Sequence, residues 1–144
     1  MITVKHLLQD KGHGTWSTTP DSLVYDALKL MADKGVGALL VLEAGKLVGI
    51  ISERDYARKV ILHGKSSLNT PVKEIMTENV ICVRPEQTIE ECMALMTDKH
   101  IRHLPVLQGD EVIGVVSIGD VVKAEIAEKN FLIKQLENYI TGSR

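Results

Sequence analysis

Gly49-Ile50-Ile51-Ser52-Glu53-Arg54-Asp55 and, 65 residues later, Gly114-Val115-Val116-Ser117-Ile118-Gly119-Asp120 carry one pattern: glycine, two β-branched residues, serine, two variable residues, aspartate. Working outward, the same shift aligns Pro20 with Pro85, Leu30 with Leu95, Met31 with Met96, Asp33 with Asp98 and Lys34 with Lys99. It also aligns Leu39 with Leu104, Val41 with Val106 and Leu42 with Leu107. Chance would supply roughly two identities over such a window at average residue usage. Eleven are present without a gap, so the chain is a duplicated unit.

Each copy has the same order of local signals. Residues 15–18 and 80–83 read as short strands. Helical patterns follow at 22–34 and 87–99, where Leu23, Ala27, Leu30 and Met31, then Ile89, Met93 and Met96, recur at helical spacing. Two β-rich runs come next, Ala38 to Leu42 and Lys46 to Ser52, separated by the turn Ala44-Gly45. The second copy repeats them as His103 to Leu107 and Glu111 to Ser117 around Gln108-Gly109-Asp110. Helices at about 53–63 and 118–140 close the copies. The predicted fold class is α/β (α+β): two β-α-β-β-α units related by a pseudo-twofold axis and packed sheet to sheet, because one such unit cannot bury both faces of its sheet. The expected division is 1–64 as the first unit with a short N-terminal helix, 65–71 as a polar linker, 72–130 as the second unit, and 131–144 as an extension of the last helix. Val4 to Gln9 resembles Val72 to Met76 in spacing. Val122, Ile126, Ile133, Leu136 and Ile140 give the last helix an apolar side suited to subunit contact.

Composition bounds the function. The chain has 144 residues, 44% hydrophobic and 25% charged, enough apolar content for a packed core. A net charge of −2 and 3% aromatics argue against a nucleic-acid-binding surface. The apolar run Val36 to Leu42 is too short to span a bilayer, Met1 to Lys5 carries no secretory signal pattern, and Cys82 and Cys92 form no C-x-x-C. A cytoplasmic protein is the expectation.

The serine and aspartate of the repeated pattern support two compatible readings. Ser-x-x-Asp at a helix start is a capping arrangement, with the acid favoured by the helix dipole. A helix N-terminus also suits phosphate, a carboxylate there can accept two hydrogen bonds from a vicinal diol, and the glycine would let a ligand approach the backbone. Other groups read as structural. His100 and His103 lack a further ligand of metal-site geometry. Asp21, Glu86, Glu90 and Glu91 fall in first helical turns, and His6, His13 and His63 are isolated. Cys82, Cys92, Met31, Met93 and Met96 read as core, and no nucleophile with its base is visible. No catalytic residue and no metal site are expected.

With Met76-Thr77-Glu78-Asn79-Val80 and Arg102-His103-Leu104-Pro105-Val106 added to the duplicated pattern, residues 3–130 resemble a tandem pair of CBS domains, a Bateman module. The resemblance implies a stand-alone regulatory protein, not an enzyme, that takes adenosine-containing ligands in two clefts between its halves. AMP is the leading expectation, with ADP, ATP, NAD(H) and S-adenosylmethionine as alternatives. It implies that Asp120 and Ser117 hold one ribose, with adenine against the backbone around Trp16, Ser17, Gly37 and Ala38. Asp55 and Ser52 would hold the other, against Asn79, Val80, Leu104 and Pro105. Arg54, Arg58, Arg102 and His103 are the phosphate candidates, and Gly119 offers space and a backbone N–H where the first copy has Arg54. A homodimer with an unidentified protein target is the implied assembly. The rival reading is a dimeric interaction module without a ligand.

Overall fold

The computed structural model describes Met1–Thr141. The elements run α1 (Val4–Lys11), β1 (Ser17–Thr18), α2 (Val24–Lys34), β2 (Ala38–Glu43), β3 (Lys46–Ser52), α3 (Glu53–Tyr56), α4 (Ile89–Lys99), β4 (His103–Gln108), β5 (Glu111–Ser117) and α5 (Ile118–Thr141). They form one three-stranded sheet, β1-β2-β3, and one two-stranded sheet, β4-β5. The first β1–β2 pairing is parallel; both hairpins are antiparallel. The part of the predicted extension beyond residue 141 lies outside the described residues.

The chain divides into two compact units that cut across the expected boundaries. One is the contiguous stretch Gly14–Ile81; the other joins Met1–His13 to the residues from Cys82 onward. The predicted N-terminal helix therefore belongs with the second repeat, and residues 65–81, expected as a linker and the start of the second half, belong with the first. The hydrogen bonds give the reason. Val4 N–H donates to Gln87 C=O (2.8 Å), Lys5 N–H to Pro85 C=O (2.9 Å) and Ile89 N–H to Ile2 C=O (3.1 Å). In the contiguous unit Val72 N–H donates to Ser22 C=O (2.8 Å), Lys73 N–H to Pro20 C=O (2.9 Å) and Val24 N–H to Thr70 C=O (2.9 Å). These are the same bonds displaced by one repeat. The segment before each repeat completes the other repeat.

Local chemistry explains the elements. Thr3 caps α1 and Thr88 caps α4, each accepting from the backbone N–H three residues on. Ala44 and Gly45 both take positive φ (52° and 78°), the conformation a two-residue hairpin needs. Each hairpin carries a bulge at the same place, between Val41 and Leu42 and between Val106 and Leu107. The expected strand at 80–83 is reduced to a single Val83–Val106 bridge. In the first repeat Leu40 N–H donates to Trp16 C=O (3.1 Å); its counterpart is Pro105, which has no N–H to give. The helix expected over 53–63 is α3 followed by a π-helical turn, Ala57–Ile61.

The core of the contiguous unit gathers Val24, Ala27, Met31, Leu39, Val41, Ile51, Val60, Val72 and Ile75. Its counterpart buries Val4, Leu7, Leu8, Val83, Ile89, Cys92, Met96, Leu104, Val106, Val116 and Val121. Leu23 departs from its predicted core position: it precedes α2 and is exposed. The signature glycines do not hold space open for a ligand, as the sequence suggested. A Cβ on Gly114 would stand 2.7 Å from Leu8 Cδ2, and one on Gly49 would stand 2.7 Å from Met76 Sδ and 3.0 Å from Thr77 C=O. The room is filled by the donated segments.

Gly114→Ala will therefore lower stability by about 1–3 kcal/mol, the usual effect of overpacking, or about 2–4 °C of Tm per kcal/mol at this length. Leu8→Ala removes the obstruction, so in urea unfolding the double variant will lose less than the sum of the singles. Strict additivity would show that Leu8 does not set the demand for glycine.

Candidate functional site

Both conserved-in-repeat Ser-x-x-Asp groups form reciprocal caps at the end of the second hairpin strand. Ser52 Oγ accepts from Asp55 N–H (3.2 Å), and Asp55 Oδ2 accepts from Ser52 N–H (2.9 Å) and from the Ser52 hydroxyl (3.1 Å). Ser117 Oγ accepts from Asp120 N–H (3.2 Å), and Asp120 Oδ2 accepts from Ser117 N–H (2.8 Å). The neighbouring strand start closes each turn: Glu53 N–H donates to Gly37 C=O (3.1 Å), and Ile118 N–H donates to Arg102 C=O (2.8 Å). Ala38 pairs with Ser52 and His103 with Ser117 across the hairpins.

The structure thus brings Gly37, Ala38, Ser52 and Asp55 together in the contiguous unit, and Arg102, His103, Ser117, Gly119 and Asp120 together in its counterpart. Ser17 lies on β1. Trp16 beside it is exposed, with the Lys34 ammonium 4.4 Å over its ring. Arg54 is half-buried at the start of α3, and Arg58 is exposed in the π-helical turn. Asn79 is exposed and Val80 half-buried. Leu104 is wholly buried and Pro105 is buried, on β4. His100 is the αL cap of α4 rather than a strand residue, apart in role from His103.

Two lysines without a flagged role in the sequence stand beside the two aspartates. Lys59 Nζ lies 3.3 Å from Asp55 Oδ1 on the same helical run, a four-residue spacing that could have flagged it. Lys11 Nζ, from the last turn of α1, contacts Asp120 Oδ2 (2.5 Å) and the Val115 carbonyl (2.6 Å). No sequence signal links it to an aspartate so distant in the chain. Burial pushes the Asp120 carboxyl up, but the Lys11 ammonium and the Ser117 amide and hydroxyl more than offset it, leaving the carboxyl below its usual value. Burial, aided by the Lys11 and Arg102 charges, holds His103 below the ordinary histidine value despite Asp120.

Burial, with Glu91 and Glu90 adding to it, pushes the Cys92 thiol up to about 11. Burial also raises Cys82, against the Arg84 charge. Neither is a thiolate poised for attack. Glu90, Glu125 and Glu128 bring carboxylate oxygens within 4.8 Å of one another, a grouping with no histidine or cysteine; Lys129 sits 3.1 Å from Glu125. Among the described residues no helix is long and apolar enough to cross a membrane.

Comparison with known proteins agrees with this architecture. The CBS domain pattern matches residues 16–62 and again 72–127. The CBS domain-containing protein CBSX3, mitochondrial, of Arabidopsis thaliana is 45% identical over 97% of this chain and 72% of its own. A solved protein with CBS domains from Burkholderia ambifaria, assigned a provisional role in signal transduction, is 53% identical. It superposes with a TM-score of 0.85 over 87% of this chain and 94% of that one. The CBS domain pair of protein MJ0100, solved with 5-methylthioadenosine and S-adenosyl-L-methionine, shares the fold at 24% identity and a TM-score of 0.78, covering 89% and 98%.

The lowered Asp120 carboxyl fixes the sign of a pH effect. The unfolded chain binds the extra proton first, so the aspartate's contribution is complete above about pH 5 and is lost as pH falls through the folded-state value. The stability gap between wild type and Asp120→Asn, followed by urea unfolding, will shrink on acidification. A gap constant down to the acid limb would mean that Lys11 does not hold this carboxylate.

Proposed function

The chain belongs to the CBS-domain family, and from that premise we propose that it senses an adenosine-containing ligand whose ribose is held by Asp55 in one unit and Asp120 in the other. The observation that carries this reading is the repetition of the whole Ser–Asp cap in both units, down to its backbone bonds. The cap takes about two of the roughly four lone-pair positions of an ionised carboxylate and the neighbouring lysine a third, so two ribose hydroxyls bind as that ammonium gives way. Ser52 and Ser117 fix the rotamer of their aspartates, so the acceptors are pre-set before a ligand arrives. AMP is the favoured ligand, with ADP, ATP and NAD(H) next and S-adenosylmethionine as the alternative. The solved pair that holds S-adenosylmethionine is joined to this chain by fold alone. Signalling needs a ligand that binds two arrangements of the protein with different affinity.

A thermal-shift panel of these ligands, followed by calorimetry, tests the assignment. Ligand at a hundredfold excess over Kd stabilises by about 2.7 kcal/mol, a rise of several degrees. Asp55→Ala and Asp120→Ala will each weaken binding, and the double variant will abolish it with the fold intact. Undiminished binding in the double variant would remove both aspartates from the site.

One observation favours self-association as the second part of the function. Ile126, Ile133 and Ile140 recur every seven residues along α5, with Val122 four before the first and Leu136 three after the second; all are exposed. Isoleucine at the first and leucine at the fourth heptad position favours two parallel strands. Every side chain from Lys129 to Glu137 is exposed, and a free helix of so few turns is marginal in water. A second copy of α5 is the fitting partner. Removing residues 131–144 will turn a dimer into a monomer in sedimentation while sparing nucleotide binding. A truncated chain that remains dimeric would place the contact elsewhere.

A further inference from the structure

Resting on the Asp120 reading above, we infer that Lys11 makes this site select phosphate-bearing adenosine ligands over neutral or cationic ones. The two aspartates are neutralised in different ways. Asp55 is met by Lys59 from its own helical run (3.3 Å), whereas Asp120 is met by a lysine from α1 that reaches two acceptors, Asp120 Oδ2 and the Val115 carbonyl. The position equivalent to Val115 in the other repeat is Ile50, whose carbonyl accepts from the Thr77 backbone N–H (2.9 Å) and whose N–H donates back to Thr77 C=O (3.0 Å). A backbone pair that cannot leave is thus replaced by a flexible ammonium that can.

The end of α1 is pinned without the lysine. Gly12 N–H donates to Leu8 C=O (2.7 Å), and His13 Nδ1 lies 2.9 Å from the Ile113 carbonyl, the extra residue of the β5 bulge. Lys11 can therefore swing while its backbone stays. Its side chain is 35% exposed and that of Asp120 25%, so the pair sits at the solvent boundary and is open to exchange.

A ribose diol arriving at Asp120 competes with the ammonium for the carboxylate. Adenosine offers Lys11 nothing in return. A phosphate on the same ribose supplies a new anionic partner within reach of a long side chain, so the charge released from one anion is taken up by another. S-adenosylmethionine instead sets a positive sulfonium at the ribose 5′ carbon, where the phosphate would stand, like in sign to Lys11. Arg102 stands beside the same turn and adds to the positive field, while Gly119 leaves the helix start open where the other repeat has Arg54.

Calorimetry on the full chain carrying Asp55→Ala, which silences the other site, measures AMP, adenosine and S-adenosylmethionine with and without Lys11→Met. The expected result is that Lys11→Met cuts the AMP-over-adenosine preference at least roughly tenfold, the scale of one charge-assisted contact. Adenosine binding should hold or tighten, and Lys11→Arg should keep the preference. Adenosine binding in the same variant also reports an intact fold. A preference unchanged by Lys11→Met would overturn the role of Lys11 and leave the Asp120 reading standing. Absence of binding by all three ligands, with and without Lys11, would overturn both.

Discussion

The fit of one side chain into the space above a glycine governs each half of this protein. Leu8 fills the space over Gly114, and Met76 fills the space over Gly49. Both contacts sit in the middle of a hairpin strand that ends three residues later on the capping serine. A strand that rode higher over its neighbour would move Ser52 or Ser117, and with them the reciprocal bonds that orient Asp55 or Asp120. The glycine is thus a packing device first. Its effect on ligand chemistry is indirect, through the placement of the helix start.

Much of this was legible in the chain. The 65-residue repeat, the element order and the Ser-x-x-Asp caps follow from periodicity and short-range chemistry, and those are the interactions a sequence states directly. The exchange of segments was half legible. Val4-Lys5-His6-Leu7-Leu8 and Val72-Lys73-Glu74-Ile75-Met76 announce that they are equivalent, but equivalence does not say which sheet each one covers. Short connections favour the adjacent repeat, and backbone pairing to Pro85 and Gln87 decides for the distant one in the case of α1. Lys11 was invisible for the same reason, whereas Lys59 follows from helical spacing. Pro105 could have been read from its missing N–H once its partner strand was known.

Duplication here preserves geometry and lets chemistry diverge. The Ser–Asp caps, the hairpin bulges and the backbone bonds of the donated segments recur in both repeats. Around the carboxylates the differences fall on single residues: Pro105 for Leu40, Gly119 for Arg54, His100 for Gly35, and a side-chain ammonium for a backbone amide at the edge of β5. Of these only the buried Leu40/Pro105 pair touches the core, so each unit keeps its fold while its charged groups change around a fixed carboxylate.

The division into one unbroken and one split unit has a consequence for how the chain is made. Gly14–Ile81 holds all of its own strands and helices and can close as soon as it leaves the ribosome. Val4, Leu7 and Leu8 are synthesised before it, yet their partners, from Gln87 to Gly114, come about eighty residues and more later. Contacts of such separation form slowly, because a long loop must close before they repay its entropy. The first helix thus waits, apolar face uncovered, for the second repeat. During that interval Val4, Leu7 and Leu8, buried in the finished fold, have no partner in their own chain.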